Sequence, residues 1–158
     1  MEKTRREVLG WGAAGALLSM ASFSEAADPA VESIEKKNLE LVNEFCAAWS
    51  SLDADKIVDF CSDAIVYQMI DNMPLVKGKE AFVKGIKSFL KSVTKAQWDT
   101  LRSACIGNLV INERVDNFDF QGDKPSAHFA VVGLFRIQDG KIVEWKDYKL
   151  PKAAEKPA

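Results

Sequence analysis

Residues 111–120 read Ile-Asn-Glu-Arg-Val-Asp-Asn-Phe-Asp-Phe (INERVDNFDF), and how this stretch is placed decides the fold. Its β-branched and aromatic content without helical periodicity predicts a strand. Side chains two apart share a face of a strand. Asn112, Arg114, Asp116 and Phe118 therefore line one side, and Glu113, Val115 and Asn117 the other. An amide, a guanidinium and a carboxylate on one face of a half-buried strand call for a reason beyond packing.

Outward from it, similar stretches predict strands near 96–106, 109–120, 127–138 and 142–148. Gln121-Gly122-Asp123-Lys124-Pro125 and Gln138-Asp139-Gly140-Lys141 separate them, the second a tight hairpin by its Asp-Gly. Upstream the period changes. Ile34, Leu41, Val42, Phe45, Cys46 and Trp49 recur at helical spacing from Val31 to Trp49. Asp53 is an N-cap for a second helix carrying Ile57, Val58, Phe60 and Cys61. A strand at 64–69, turns at 71–74 and 77–79, and a third helix over about 80–92 follow. Helices followed by consecutive strands imply an α+β domain: a cone-shaped, curved, mixed or antiparallel sheet wrapped around three N-terminal helices. The open mouth of such a cone is the natural place for a small-molecule pocket.

A chain of 158 residues has room for one such domain, read here as 31–150. The formal net charge of -2 offers no basic stripe for phosphates, so nucleic acid is not an expected partner. The single histidine, His128, and cysteines without a CxxC pair argue against a metal site, and no cofactor is expected. His128 sits in an apolar strand and is expected to satisfy a local hydrogen bond. Residues 1–26 combine Thr4-Arg5-Arg6-Glu7-Val8-Leu9, a short apolar run from Trp11 to Met20, and Ser24-Glu25-Ala26. They read as a twin-arginine-like signal peptide, implying export to a bacterial periplasm and no stable membrane association after cleavage. The tail 151–158, rich in Lys, Ala and Pro, reads as disordered. The odd cysteine count leaves at least one thiol unpaired. Cys46 and Cys61 read as small buried hydrophobes, with pairing across two packed helices as the alternative.

In the last strand Val143, Trp145 and Asp147 share a face. If Trp145 points inward, Asp147 enters the same cavity as Asp116, and Arg114 can hold both through its planar fork. Two neighbouring carboxylates cannot both ionise cheaply, so one can keep its proton as a general acid while the other takes one from water. An ordinary salt-bridge network can also place an arginine between two aspartates.

Asn112–Asp116 (N-E-R-V-D), followed by Gly140–Tyr148 (G-K-I-V-E-W-K-D-Y), resembles the limonene-1,2-epoxide hydrolase family. That family belongs to the nuclear transport factor 2-like, SnoaL-like superfamily, whose cone-shaped fold ketosteroid isomerase shares. The likeness also takes in V-N-E-F-C-A-A-W at 42–49, D-A-D-K-I-V-D-F at 53–60, V-Y-Q at 66–68 and N-M-P at 72–74. It implies an enzyme that adds water to a small, largely apolar epoxide, giving a vicinal diol with neither metal nor covalent ester. Asp116 would protonate the epoxide oxygen, Asp147 would take a proton from the attacking water, and Arg114 would bridge them. Tyr67 and Asn72 would position that water. The family reads Y-Q-N-M-P where this chain inserts Met69-Ile70-Asp71. Either the insertion loops out and Asn72 still reaches the water, or Met69 takes its slot. The expected apolar lining is Trp98, Phe118, Leu134, Phe135 and Trp145, with Asn112 a polar lining residue. Two alternatives remain: an isomerase or cyclase using a single carboxylate base, and a non-catalytic ligand-binding module. An open sheet of this kind also suggests a homodimer.

Overall fold

The computed structural model describes residues 29–71 and 73–151. The leader at 1–26, Asn72 and the tail beyond Pro151 lie outside the described residues. Helix α1 spans Pro29–Ala48 and continues into a short 3-10 turn at Trp49–Ser51. Proline suits a first helical position because its missing N–H would have no partner there. The helix turns Val42, Phe45 and Cys46 inward. Helix α2, Ala54–Val58, starts at Asp53, whose carboxylate accepts from the backbone N–H groups of Asp55 (3.0 Å) and Lys56 (3.4 Å). It is shorter than the sequence suggests: Cys61 opens strand β1, Cys61–Gln68, instead of ending a helix. Ile65 and Tyr67 alternate inward from that strand, so sheet pairing overrides the apolar run that looked helical.

After a two-residue strand β2, Val76–Lys77, helix α3 runs over Lys79–Leu90 and buries Phe82, Ile86 and Leu90 as a stripe four apart. Four long strands follow: β3 Val93–Ile106, β4 Leu109–Phe120, β5 Ala127–Gln138 and β6 Lys141–Lys149. The Asp139-Gly140 turn between the last two has positive φ at both residues (51° and 70°), as the tight hairpin requires. The sheet order is β2-β1-β6-β5-β4-β3. All neighbours are antiparallel except β1 and β6, which run parallel. The α+β reading therefore holds, as a mixed and open sheet in which the first strand precedes the third helix.

One face of the sheet curls around the helices. Phe45 of α1 is the hub of the core, meeting Trp49, Phe60, Trp98, Phe135 and Trp145 edge-on at centroid distances of 5.3–6.2 Å. Edge-to-face packing places the positive ring edge on the negative face of its neighbour. The other sheet face carries charge pairs such as Arg102–Glu113 at 2.6 Å and Arg136–Glu144 at 3.1 Å. Leu134 belongs to that outer face and not to the cavity, because Phe135 takes the inward position on β5. Both Cys46 and Cys61 are buried free thiols, one on α1 and one on β1.

Candidate active site

Strand β4 turns Asn112, Arg114 and Asp116 inward, and all three are buried, Arg114 completely. Asp147 arrives from β6, also buried. Arg114 Nε donates to Asp116 Oδ1 at 2.7 Å, and Nη2 donates to Asp116 Oδ2 at 3.2 Å and to Asp147 Oδ2 at 2.6 Å. The remaining Asp147 oxygen, Oδ1, accepts from Trp145 Nε1 at 2.8 Å. The guanidinium also lies over the Trp98 ring, 4.2 Å from its centroid. A cation in this position gains from the ring's negative face while both carboxylates are held in its plane.

A cavity of about 220 Å³ opens in front of this group. Both carboxylates line it, as do Tyr67, Trp98, Phe118 and Trp145, while Phe120 and Phe129 extend the apolar wall. Arg114 does not line it and stands behind the acids. A ligand therefore meets two carboxyl groups in an otherwise aromatic and aliphatic chamber. The volume is below the roughly 300–1,000 Å³ usual for drug-sized ligands, so the cavity suits a small apolar molecule.

Burial is the largest influence on all three charged groups. It pushes the Asp116 carboxyl up to about 7, with Arg114 pulling down and Asp147 pushing up. It raises Asp147 as well, against the charge and hydrogen bond of Arg114 and the bond from Trp145. Burial opposes the charge on Arg114, but Asp147 and then Asp116 outweigh it, and the guanidinium stays charged. One proton shared between the carboxyls makes the trio neutral overall, the cheapest charge state in an apolar chamber. Such a set can donate a proton at one point and accept one at another. Tyr67, held above the ordinary tyrosine range chiefly by burial, keeps its hydroxyl proton.

Residues 42–145 match the SnoaL-like domain. The chain belongs to that family. Solved structures with the same fold include an LEH-like epoxide hydrolase from M. tuberculosis, 22% identical, with a TM-score of 0.66 over 73% of this chain and 84% of that one. A candidate SnoaL-like polyketide cyclase from Jannaschia sp. CCS1 is 17% identical, with a TM-score of 0.61 over 73% and 87%. A cystatin-fold protein from Novosphingobium aromaticivorans is 18% identical, with a TM-score of 0.62 over 70% and 96%. At these identities the likeness establishes the fold, and the chemistry of this SnoaL-like domain has to be read from its own residues.

The structure brings together Arg114, Asp116, Asp147 and Tyr67. Tyr67 is paired in register with Trp145 across β1 and β6, and their rings stack at 4.3 Å. Where the sequence places Asn72, nothing is described. Met69 and Ile70, beyond the end of β1, both line the cavity, so the strand's alternation ends there. Among the expected lining residues, Trp98, Phe118 and Trp145 are in place. Phe135 packs in the core. Asn112 is not a lining residue: its Oδ1 accepts from Arg114 Nη1 at 3.0 Å, on the side away from the cavity. His128 has its local partner, with Nδ1 2.7 Å from Asn117 Oδ1. Among the described residues no group of three or more His, Cys, Asp or Glu is arranged to hold a metal ion. Gly133, which no sequence signal singles out, lies against the guanidinium. Only strand register could have pointed to it, since it stands opposite both Asn112 and Asp147.

Proposed function

We propose that this SnoaL-like domain is an epoxide hydrolase that adds water to a small, largely apolar epoxide. The observation that carries this reading is one buried arginine joining two buried carboxyls, both of which face an apolar cavity. Among the four carboxylate oxygens, Asp116 Oδ2 has the longest contact, 3.2 Å, and is the natural seat for the proton. Asp147 accepts a short bond on each oxygen, from Arg114 and Trp145, and both donors favour its ionised form.

Asp147 then takes a proton from water as that water attacks a ring carbon. The C–O bond of that same carbon, on the face away from the water, breaks, and Asp116 gives its proton to the departing oxygen. The product is a vicinal diol, and the proton lost by Asp116 is recovered through Asp147 by exchange with solvent. No bond to the protein forms. Tyr67, protonated and at the cavity wall, is the group that orients the water. The apolar wall excludes competing solvent. Export through the twin-arginine-like leader, release of the mature domain at 31–150 and homodimerisation complete the proposal.

The test is a panel of small cyclic and aryl epoxides turned over in heavy-oxygen water, with Asp116→Asn and Asp147→Asn beside the native protein. Diol carrying one heavy oxygen, even in a single turnover, is expected, with losses of about 10²–10⁴-fold in each variant. Diol formation at native rates in both variants would sink the mechanism. Activity that survives only the loss of Asp147 would favour isomerase or cyclase chemistry with a single base. Tight ligand binding without turnover would leave a binding module.

A further inference from the structure

Arg114 can touch Asp147 only by crossing a strand. It rises from β4, Asp147 stands on β6, and β5 runs between them. Neighbouring strands lie about 4.8 Å apart, so the side chains of Arg114 and Asp147 together bridge roughly 10 Å of sheet. On β5 the residue directly opposite both Asn112 and Asp147 is Gly133. A Cβ placed there would run into Arg114 Nη1, and would lie 2.6 Å from Asn112 Oδ1 and 2.7 Å from the Phe135 ring. The backbone of Gly133 is not in the left-handed region, so no turn or strain demands glycine at this point. The missing side chain is explained by the guanidinium that occupies its space.

The far end of the same group is held from β4 and α1. Arg114 Nη1 donates to Asn112 Oδ1 at 3.0 Å, and Asn112 Nδ2 donates to Cys46 Sγ at 3.4 Å. The second bond orients the amide, so that its oxygen and not its nitrogen meets the cation. Burial pushes the Cys46 thiol up to about 11, which keeps that sulfur neutral. Neither Asn112 nor Gly133 lines the cavity.

We propose that Gly133 and Asn112 are positioning residues that seat Arg114 across β5, so that a single Nη2 addresses both Asp116 and Asp147. Without the seat the guanidinium falls back onto Asp116, the carboxylate of its own strand, and Asp147 loses its cation. The inference rests on the reading that the two aspartates divide acid and base work, and it adds what keeps them in step.

Gly133→Ala and Asn112→Leu test it, each followed by carbon NMR titration of the aspartate carboxyls and by kinetics. In both variants the Asp147 carboxyl should titrate about one pH unit or more above its native position, because a neighbouring arginine ordinarily lowers an aspartate by 1–3 pH units. The acid limb of kcat/KM should move up with it. Turnover should fall about 100-fold in Gly133→Ala and about tenfold in Asn112→Leu, with KM within about twofold, since a misplacement near 1 Å can cost 10² in rate. If Gly133→Ala does not fold, Asn112→Leu decides alone. An Asp147 titration that stays at its native position in a folded variant overturns the seat. The titration needs no substrate, so it still answers if the native protein hydrolyses no epoxide, a result that would count against the hydrolase reading only.

Discussion

Replacing Arg114 with methionine keeps much of its length and removes its charge, and the consequence can be worked from the structure. Four hydrogen bonds disappear: two to Asp116, one to Asp147 and one to Asn112. Asp147 is left buried with the bond from Trp145 Nε1, and Asp116 loses the guanidinium that held both of its oxygens. Removing one partner of a buried ion pair costs about 3–5 kcal/mol, because the survivor keeps its desolvation penalty. That cost is conditional on charge. Both carboxyls are already raised in the native protein, and without arginine they rise further. In the folded variant they hold protons that the unfolded chain releases near pH 4, so stability must fall as pH rises through that interval. At pH 8 the full 3–5 kcal/mol is expected. At pH 5 both acids are protonated in the fold, and the loss shrinks to the missing hydrogen bonds and packing, about 1–2 kcal/mol. Urea unfolding followed by tryptophan fluorescence measures both, since Trp49, Trp98 and Trp145 are buried. Equal destabilisation at pH 5 and pH 8 would refute the reasoning, because the trio would then be acting through shape and not charge.

The native protein should itself lose stability between about pH 4 and pH 7, by up to about 4 kcal/mol, as Asp116 moves through its raised titration near 7; urea midpoints across that range would show it. Asp53→Ala removes the cap of α2 and should cost about 1 kcal/mol, read as a lowered thermal midpoint at unchanged activity. Phe45→Ala empties the hub where five aromatic rings meet and should cost about 3–5 kcal/mol by the same unfolding measurement. A thiol reagent at neutral pH should modify at most Cys105 in the folded protein and all three cysteines after unfolding, because burial pushes Cys46 and Cys61 up to about 11 and about 12.

Much of this was legible in the residues by themselves. Alternation along 109–120 and 127–138 placed β4 and β5 with their observed limits, because strand period and Asp-Gly turn chemistry are local properties. The same period put Arg114 and Asp116 on one face two residues apart, and Trp145 with Asp147 on another. Local pattern failed where pairing decided. Cys61 looked helical until β1 found β6 as a parallel partner, and Leu134 looked like a lining residue until register turned it outward. The insertion after Tyr67 shows the same limit: the residues left open whether Asn72 or Met69 takes the slot beside the tyrosine, and the strand ends at Gln68, where Ile70 joins Met69 at the cavity.

What the sequence determined, then, was the inventory and its faces: an amide, a guanidinium and two carboxylates set to point inward. The tertiary structure alone decided their partners. Asp147 stands level with Asn112 and not with Arg114, so the guanidinium must lean back and cross β5 to reach it. That crossing is possible because the residue in its path has no side chain. Covalent spacing says which way a side chain points. Which atoms then compete for the same few ångströms is settled only when strands from distant parts of the chain are laid side by side.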